Sequence, residues 1–163
     1  SLRARVALLK GLSASVFDTV FKSIHLSKNA QEFISILQKK GILVSLVSGG
    51  FTPIIERLAK SLGISYFSAN QLEVKDGFLT GKLVGEIVIG QVKKATLERW
   101  RKELGLSKER TIAIGDGAND LLMLKSAGHG IAFCAKEVVK AEIACHVDTR
   151  DLLEVLPLID FLE

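Results

Sequence analysis

The sequence is poor in the features that mark several classes of protein. Only 2 of its 163 residues are cysteines, and Cys134 and Cys145 fit no metal-ligand spacing, which favours a reduced cytoplasmic protein with two small buried thiols. No apolar run reaches the roughly 18 residues that a membrane-spanning helix requires, and the first residues lack a signal-peptide layout. No dense basic run with interleaved aromatic residues is present, which argues against nucleic-acid binding.

The composition that remains is that of a folded domain. Hydrophobic residues make up 48% of the chain and charged residues 25%, enough for one domain or one domain with a small appendage. The formal net charge is +4, which suits an anionic small molecule as the ligand.

Helical and strand patterns alternate from about residue 29 onward. Apolar residues at 30, 33, 34 and 37 recur with helical spacing, and "ILVSLV" (42–47) is typical of a buried strand. Thr52 and Pro53 have the residue types of a helix N-cap and first helical position. The same reasoning predicts strands at 64–69, 111–115, 130–133 and 144–147, and helices at 91–104, 119–126, 136–142 and from about 150.

Two segments depart from this alternation. Asp76-Gly77 separates two alternating runs and predicts a β-hairpin at 72–75 and 78–84. Residues 1–25 show two short helical patterns without strands. The sequence therefore predicts an α/β fold, Rossmann-like, with a mostly parallel sheet and helices on both faces. We expect a partial helical cap over residues 1–28 and an α/β core over 29–163.

Polar residues that could bind a ligand or take part in catalysis follow two of the predicted strands. Ser48-Gly49-Gly50 follows the strand at 42–47 and offers a hydroxyl and backbone N–H groups before a helix, as an anion site would. The stretch "GDGAND" follows the strand at 111–115, and its Asp116 and Asp120 supply the hard oxygen ligands that Mg²⁺ prefers. Because ligands bind beyond the carboxyl ends of parallel strands, we expect both turns to face one phosphate site.

Lys93 and Asn119 complete the candidate set. Lys93, early in its helix, can set a positive charge against a phosphoryl group, and Asn119 can donate a hydrogen bond to the substrate. Each residue alone also has an ordinary explanation. Lys93 could be a solvated helix residue, with Lys94 as a rival, and the two aspartates could cap the helix near 119.

Several stretches together resemble one known family. Ser48, Lys93 and "GDGAND" are similar to motifs two, three and four of the haloacid dehalogenase superfamily. "SLRARVALLKG", "VSGGFT", "ANQLEVKDGFLTGKLVGEIV", "IAIGDGANDLLML" and "GIAFCAK" resemble its phosphoserine phosphatase branch nearly end to end. The resemblance implies Mg²⁺-dependent hydrolysis of O-phosphoserine in serine biosynthesis. The composition, as noted above, predicts no nucleic-acid or membrane partner.

The resemblance also assigns roles by position. Ser48 and the Gly49 backbone would hold the phosphoryl oxygens, and Lys93 would stabilise charge on the phosphoryl group and the nucleophile.

The resemblance assigns the metal and the rest of the substrate to other residues. Asp116 would bind Mg²⁺, and Asp120 would support the metal directly or through its waters. Asn119 would contact the substrate phosphate. Arg5 matches the cap arginine that binds the substrate carboxylate, for which a fork-shaped guanidinium is well suited.

One part of the family pattern does not occur in these 163 residues. Such enzymes attack phosphorus with the first aspartate of an Asp-x-Asp-x-Thr strand, and the second acts as general acid and base. Asp18-Thr19 is a poor substitute, because no second aspartate lies two residues on and the segment has helical spacing. The sequence thus resembles a fragment without its central strand, expected to be inactive alone and prone to pair its open edges, for example as a homodimer.

Two other functions stay open. The chain could be a catalytically silent protein that binds phosphorylated metabolites or a partner. It could also belong to a phosphatase for another small phosphomonoester.

Overall fold

The computed structural model describes residues 1–159, which form two compact units. The first unit comprises residues 1–25 and 44–88, and the second comprises residues 26–43 and the chain from residue 89 onward. Each unit has its own three-stranded sheet. The division into a cap (1–28) and a core (29–163) is drawn from the sequence pattern and not from contacts in the structure, and it stays a prediction.

The helices and strands alternate along most of the chain. The helices are α1 (Leu2–Ala7), α2 (Val16–Lys22), α3 (Ala30–Lys39), α4 (Thr52–Ser61), α5 (Gly90–Glu103), α6 (Leu121–Ser126) and α7 (Glu137–Lys140). The strands are β1 (Ser45–Phe51), β2 (Tyr66–Lys75), β3 (Phe78–Val84), β4 (Ile112–Gly115), β5 (His129–Phe133) and β6 (His146–Val147). Short 3-10 helices lie at Lys108–Arg110, Ala118–Asp120 and Leu152–Leu158. No helix within residues 1–159 is both long enough and apolar enough to cross a membrane.

The sheet of the first unit has the order β1-β2-β3. The first part of β2 pairs in parallel with β1, and its second part pairs antiparallel with β3. Asp76 and Gly77 connect β2 to β3 with φ angles of 51° and 80°. A two-residue hairpin turn of type I′ needs positive φ at both positions, which Asp-Gly tolerates. The hairpin prediction is therefore confirmed.

The loop after α1 covers part of the outer edge of β3. The N–H of Gly11 donates to the carbonyl of Leu79 (2.8 Å), and the N–H of Leu79 donates to the carbonyl of Leu12 (2.8 Å). Below this sheet the core of the unit contains Val6, Phe17, Ile54, Leu72 and Leu79. The helical segment around Asp18 is confirmed as α2, and Asp18 pairs on the surface with Arg57 at 2.6 Å.

Two local predictions in this unit are wrong. The strand predicted at 42–47 begins only at Ser45 and continues through the "SGG" stretch to Phe51. Thr52 is not the N-cap of α4, because it lies inside the helix after Phe51. The Thr52 hydroxyl instead donates to the carbonyl of Asn70 at 3.1 Å. That cross-strand acceptor competes with the capping geometry that the sequence suggested.

The second unit has a parallel sheet in the order β4-β5-β6. Its strands, α5 and α6 lie within a few residues of the predicted ranges. Small and aliphatic residues of β4, β5, α6 and α7 form its core, with Leu124, Ala132 and Val139 at most 1% exposed. Cys134 is half-buried and Cys145 is exposed, so the prediction of two buried thiols is wrong. The segment from about 150, predicted as a helix, is 3-10 between Leu152 and Leu158 and contains Pro157. Proline lacks the N–H that an α-helix interior uses.

Asp151 ties the end of this unit to the start of α3. Its carboxylate accepts two hydrogen bonds from Asn29 Nδ2 (2.9 and 3.0 Å) and pairs with Lys28 Nζ at 3.0 Å. The Leu153 N–H also donates to it at 3.0 Å. These donors, the Asn29 amide first, hold the pKa of Asp151 below its ordinary value.

Candidate active site

A buried ion pair joins the first turns of α5 to the loop after β4. Lys93 Nζ lies 2.6 Å from Asp120 Oδ1, and both side chains are only 7% exposed. The i→i−4 hydrogen bond from Lys93 N–H to the Ile89 carbonyl (2.9 Å) places the lysine in the first turn of the helix. A pair this deeply desolvated is held in one geometry, since separating the charges would leave each without a counter-charge in a medium of low dielectric.

The second oxygen of Asp120 organises the loop itself. Asp120 Oδ2 accepts hydrogen bonds from the N–H groups of Asp116 (3.2 Å) and Gly117 (3.1 Å). Asp120 therefore connects the lysine of α5 with the backbone that follows β4. The Asp116 carbonyl accepts from the Lys136 N–H at 3.2 Å, so the backbone of Asp116 is held on both sides.

Two glycines allow this close approach. A Cβ on Gly115 would lie 2.6 Å from the Cβ of Asp120, a distance that real side chains do not reach. A Cβ on Gly90, the first residue of α5, would lie 3.1 Å from the carbonyl oxygen of Asn119. The glycine of "GDGAND" that precedes Asp116 is therefore required by packing against Asp120.

The "SGG" stretch forms an irregular part of β1 in the first unit. Val47 pairs with Ser68 and Phe51 with Asn70, so the register skips Ser48, Gly49 and Gly50. The Gly50 N–H donates to Ser48 Oγ at 3.0 Å, and Gly49 is exposed. The stretch is thus a bulge within a strand, where the sequence predicted a turn after one. Bulges of this kind re-aim backbone and side-chain groups at the edge of a site.

Comparisons with known proteins identify the family. The family of haloacid dehalogenase-like hydrolases matches residues 2–125. The phosphoserine phosphatase of Streptococcus thermophilus is 51% identical over 160 residues, covering 98% of this chain and 74% of the relative. That of Lactococcus lactis subsp. lactis is 51% identical over 162 residues, covering 99% of this chain and 75% of the relative. A substrate-bound phosphoserine phosphatase structure superimposes with a TM-score of 0.91 at 42% identity, covering 96% of this chain and 75% of that one.

The chain belongs to the haloacid dehalogenase-like hydrolases. The Streptococcus thermophilus and Lactococcus lactis relatives are both phosphoserine phosphatases, so the resemblance drawn from the sequence is confirmed. The predicted fold class is confirmed as well, since the chain has the Rossmann-type α/β fold of solved haloacid dehalogenase-like phosphatases.

Asp116 has the properties of a hard metal ligand in such a hydrolase. Its carboxylate is exposed and forms no hydrogen bond or ion pair with the residues that the structure describes. No group of three or more His, Cys, Asp or Glu residues that could hold a metal occurs in residues 1–159. Mg²⁺ usually takes one or two protein carboxylates and completes its shell with waters and substrate phosphate. The single free carboxylate of Asp116 fits that requirement.

The predicted site residues are distributed over the two units. Lys93, Asp116, Asp120 and the backbone of Asn119 come together in the second unit, through contacts that join α5 to the loop after β4. Arg5 and Ser48 belong to the first unit, where Arg5 is exposed in the last turn of α1. Their convergence with Lys93 and Asp116 spans the two units and stays a prediction.

Sequence reasoning missed two relationships. It assigned Lys93 to phosphate and Asp120 to metal, and did not foresee that they bind each other. It also overlooked Asn70, which is 1% exposed and the only buried asparagine in residues 1–159. The sequence offered only a weak signal, since Asn70 and Gln71 lie between two predicted strands and nothing local shows which of the two amides is buried.

Proposed function

We propose that the chain is the larger part of a Mg²⁺-dependent phosphoserine phosphatase, which hydrolyses O-phosphoserine to serine and phosphate in serine biosynthesis. The observation that carries the proposal is the buried Lys93–Asp120 pair, whose carboxylate also holds the loop amides of Asp116 and Gly117. The pair ties the "GDGAND" loop to Lys93 and so fixes the loop that carries the free carboxylate of Asp116, as the preorganised charges of phosphoryl chemistry require. The phosphoserine phosphatases at 51% identity support the substrate.

The residues would divide the work as follows. Asp116 would hold Mg²⁺, which when bound would neutralise charge on the substrate phosphate. Lys93, anchored by Asp120, would present a fixed positive charge to the phosphoryl group without reorganising during the reaction. Ser48 and the Gly49 backbone would hold phosphoryl oxygens, and Asn119 would add a hydrogen bond. Arg5 would bind the carboxylate of the amino acid.

Residues 1–163 should not perform the reaction alone. The aspartyl-phosphate route requires an attacking carboxylate, and no Asp-x-Asp-x-Thr stretch occurs among them. Asp18 cannot replace it, because it lies on the surface of α2 in a pair with Arg57. Charge stabilisation by Lys93 and a metal does not substitute for covalent attack on phosphorus.

A chimera tests the proposal. The part of the Streptococcus thermophilus relative that this chain does not cover would be joined to residues 1–163, and phosphate release from O-phosphoserine would be measured with and without Mg²⁺. We expect the chimera to turn over and the 163-residue chain to stay silent. An Asp116→Asn chimera should lose Mg²⁺ dependence together with activity.

The outcomes separate the alternatives. Equal rates on O-phosphoserine and on glycerol phosphate would indicate a phosphatase for other phosphomonoesters. A folded chimera that binds inorganic phosphate but releases none would favour a catalytically silent binding protein. Phosphate release by residues 1–163 alone would refute the assignment of the nucleophile. Localisation in the cytoplasm and a homodimeric state are further parts of the proposal.

A further inference from the structure

Asn70 joins the phosphate-binding stretch of β1 to the segment at the end of the first unit. Its Nδ2 donates to the carbonyl oxygen of Gly49 at 2.9 Å, and its Oδ1 accepts from the N–H of Val88 at 2.8 Å. The residue is 1% exposed. The two partners also determine which end of the amide is which, since a carbonyl requires a donor and an N–H requires an acceptor.

The Gly49–Gly50 peptide group is held at both ends. Its carbonyl accepts from Asn70, and its N–H donates to Ser48 Oγ at 3.0 Å. Because a peptide group is planar, with the C=O and N–H on opposite sides, fixing the carbonyl also aims the N–H. Two consecutive glycines would otherwise allow this peptide to rotate by half a turn at little cost.

The same contact determines what the Ser48 hydroxyl can do. A hydroxyl has one proton to donate and two lone pairs that accept. Ser48 Oγ uses a lone pair for the Gly50 N–H, so its proton stays available for another acceptor. A phosphoryl oxygen is such an acceptor.

We propose that Asn70 is a positioning residue of the phosphate site, which acts through the Gly49–Gly50 peptide to keep Ser48 as a hydrogen-bond donor. The inference rests on the proposed function of Ser48 and Gly49 in binding phosphate. Asn70 has no contact with substrate in this scheme. Its effect passes through one peptide group, and loss of its amide donor frees that peptide to rotate.

The first measurement uses the unaltered 163-residue chain. Hydrogen exchange followed by NMR should show slow exchange for the Gly50 N–H and for the side-chain amide of Asn70. In the Asn70→Asp variant, which keeps the acceptor for Val88 but loses the donor to Gly49, the Gly50 N–H should exchange at least tenfold faster. Free exchange of both groups in the unaltered chain would overturn the proposal without any variant.

Leu72→Ala is the matched control. Leu72 lies two residues further along β2 and is 7% exposed, so its truncation loosens the same strand without touching the Gly49 carbonyl. We expect it to raise exchange rates across β2 without singling out Gly50. If the two variants gave the same exchange pattern, Asn70 would be an ordinary core residue.

The second measurement is binding of inorganic phosphate in the presence of Mg²⁺, followed by the amide shifts of Gly49 and Gly50. Asn70→Asp should weaken the affinity for phosphate at least tenfold. In a Ser48→Ala background the same substitution should not lower the affinity further. If the amide shifts of Gly49 and Gly50 did not change when phosphate was added, the proposed function would be contradicted. The exchange data would still decide the role of Asn70. Phosphate binding that survives Asn70→Asp unchanged would contradict the positioning role alone.

Discussion

Lys93 and Asp120 lie 27 positions apart in the sequence, yet their Nζ and Oδ1 atoms are 2.6 Å apart in the interior. Removing one partner leaves the other charge buried and unpaired, which costs roughly 3–5 kcal/mol. We therefore expect Lys93→Met and Asp120→Asn each to lower the urea midpoint strongly. The double variant buries no charge and should recover part of the loss, with a coupling free energy of about 0.5–3 kcal/mol.

Lys94→Met is the control for this cycle. Lys94 is 44% exposed and only 3.8 Å from Glu98 in a surface pair, so its replacement should change stability by less than about 0.5 kcal/mol. Additive losses in the double variant would mean that the two side chains do not stabilise each other.

Gly115→Ala should damage the loop that Asp120 organises. The new Cβ would lie 2.6 Å from the Cβ of Asp120, and relieving such overpacking costs about 1–3 kcal/mol. The nearest atom to a Cβ on Gly49 is the Val88 carbonyl oxygen at 3.7 Å, so Gly49→Ala should unfold at nearly the unaltered temperature. Differential scanning calorimetry of the two variants measures the contrast. A Gly115→Ala protein as stable as Gly49→Ala would refute the close approach.

Asp151 should make the second unit sensitive to acid. Hydrogen bonds from Asn29, with contributions from Lys28 and the Leu153 N–H, lower the pKa of Asp151 in the folded chain. A lowered folded pKa means that the carboxylate adds stability fully above its unfolded pKa and loses it as pH falls through the folded pKa. Asp151→Asn should therefore flatten the fall in melting temperature below about pH 4.

Glu154→Gln also removes one negative charge, three residues further along in the 3-10 helix that Asp151 caps, and serves as the reference variant. Glu154 is exposed, and its replacement should leave the acid slope as it is. Identical slopes in the unaltered chain and in Asp151→Asn would show that another group controls the acid limb.

The strands β1 and β4 should promote self-association. Within residues 1–159, β1 pairs only with β2, and β4 pairs only with β5. An unpaired parallel edge presents N–H and carbonyl groups that another chain can bind. Sedimentation equilibrium should therefore show a concentration-dependent dimer, which the chimera described above should reduce. A chain that stays monomeric at all accessible concentrations would contradict this expectation.

The elements that could be predicted are those whose signals are local. The helical spacing of α3 and α5 and the Asp76-Gly77 turn depend on neighbours within a few residues, and all three appear where the sequence indicates. Thr52 failed as a cap because its hydroxyl found the carbonyl of Asn70, 18 positions away. Local residue preferences carry no information about such an acceptor.

At the candidate site, too, the residue types could be predicted from the sequence, but the contacts between distant residues could not. The residue types of "SGG" and "GDGAND" identify the chemistry, because oxygen ligands and glycine-rich backbone suit phosphate and Mg²⁺. The pairing of Lys93 with Asp120 and the clamp of Asn70 on Gly49 could not be predicted, since each depends on which strands and helices meet in the folded chain.

Asn70 stands where β2 changes partner: the last parallel pair joins Asn70 to Phe51, and the antiparallel ladder begins with Gln71 opposite Val84. The single strand β2 thus runs without a break from the hairpin tip to the residues, Ser68 and Asn70, that pair on either side of the bulge containing Ser48. A disturbance at the tip is therefore transmitted along β2 to the hydrogen bonds that hold the bulge, including the one from Asn70 to the Gly49 carbonyl. The hairpin tip and the phosphate-binding stretch of β1 should consequently unfold in one cooperative transition, although only the second carries candidate functional residues.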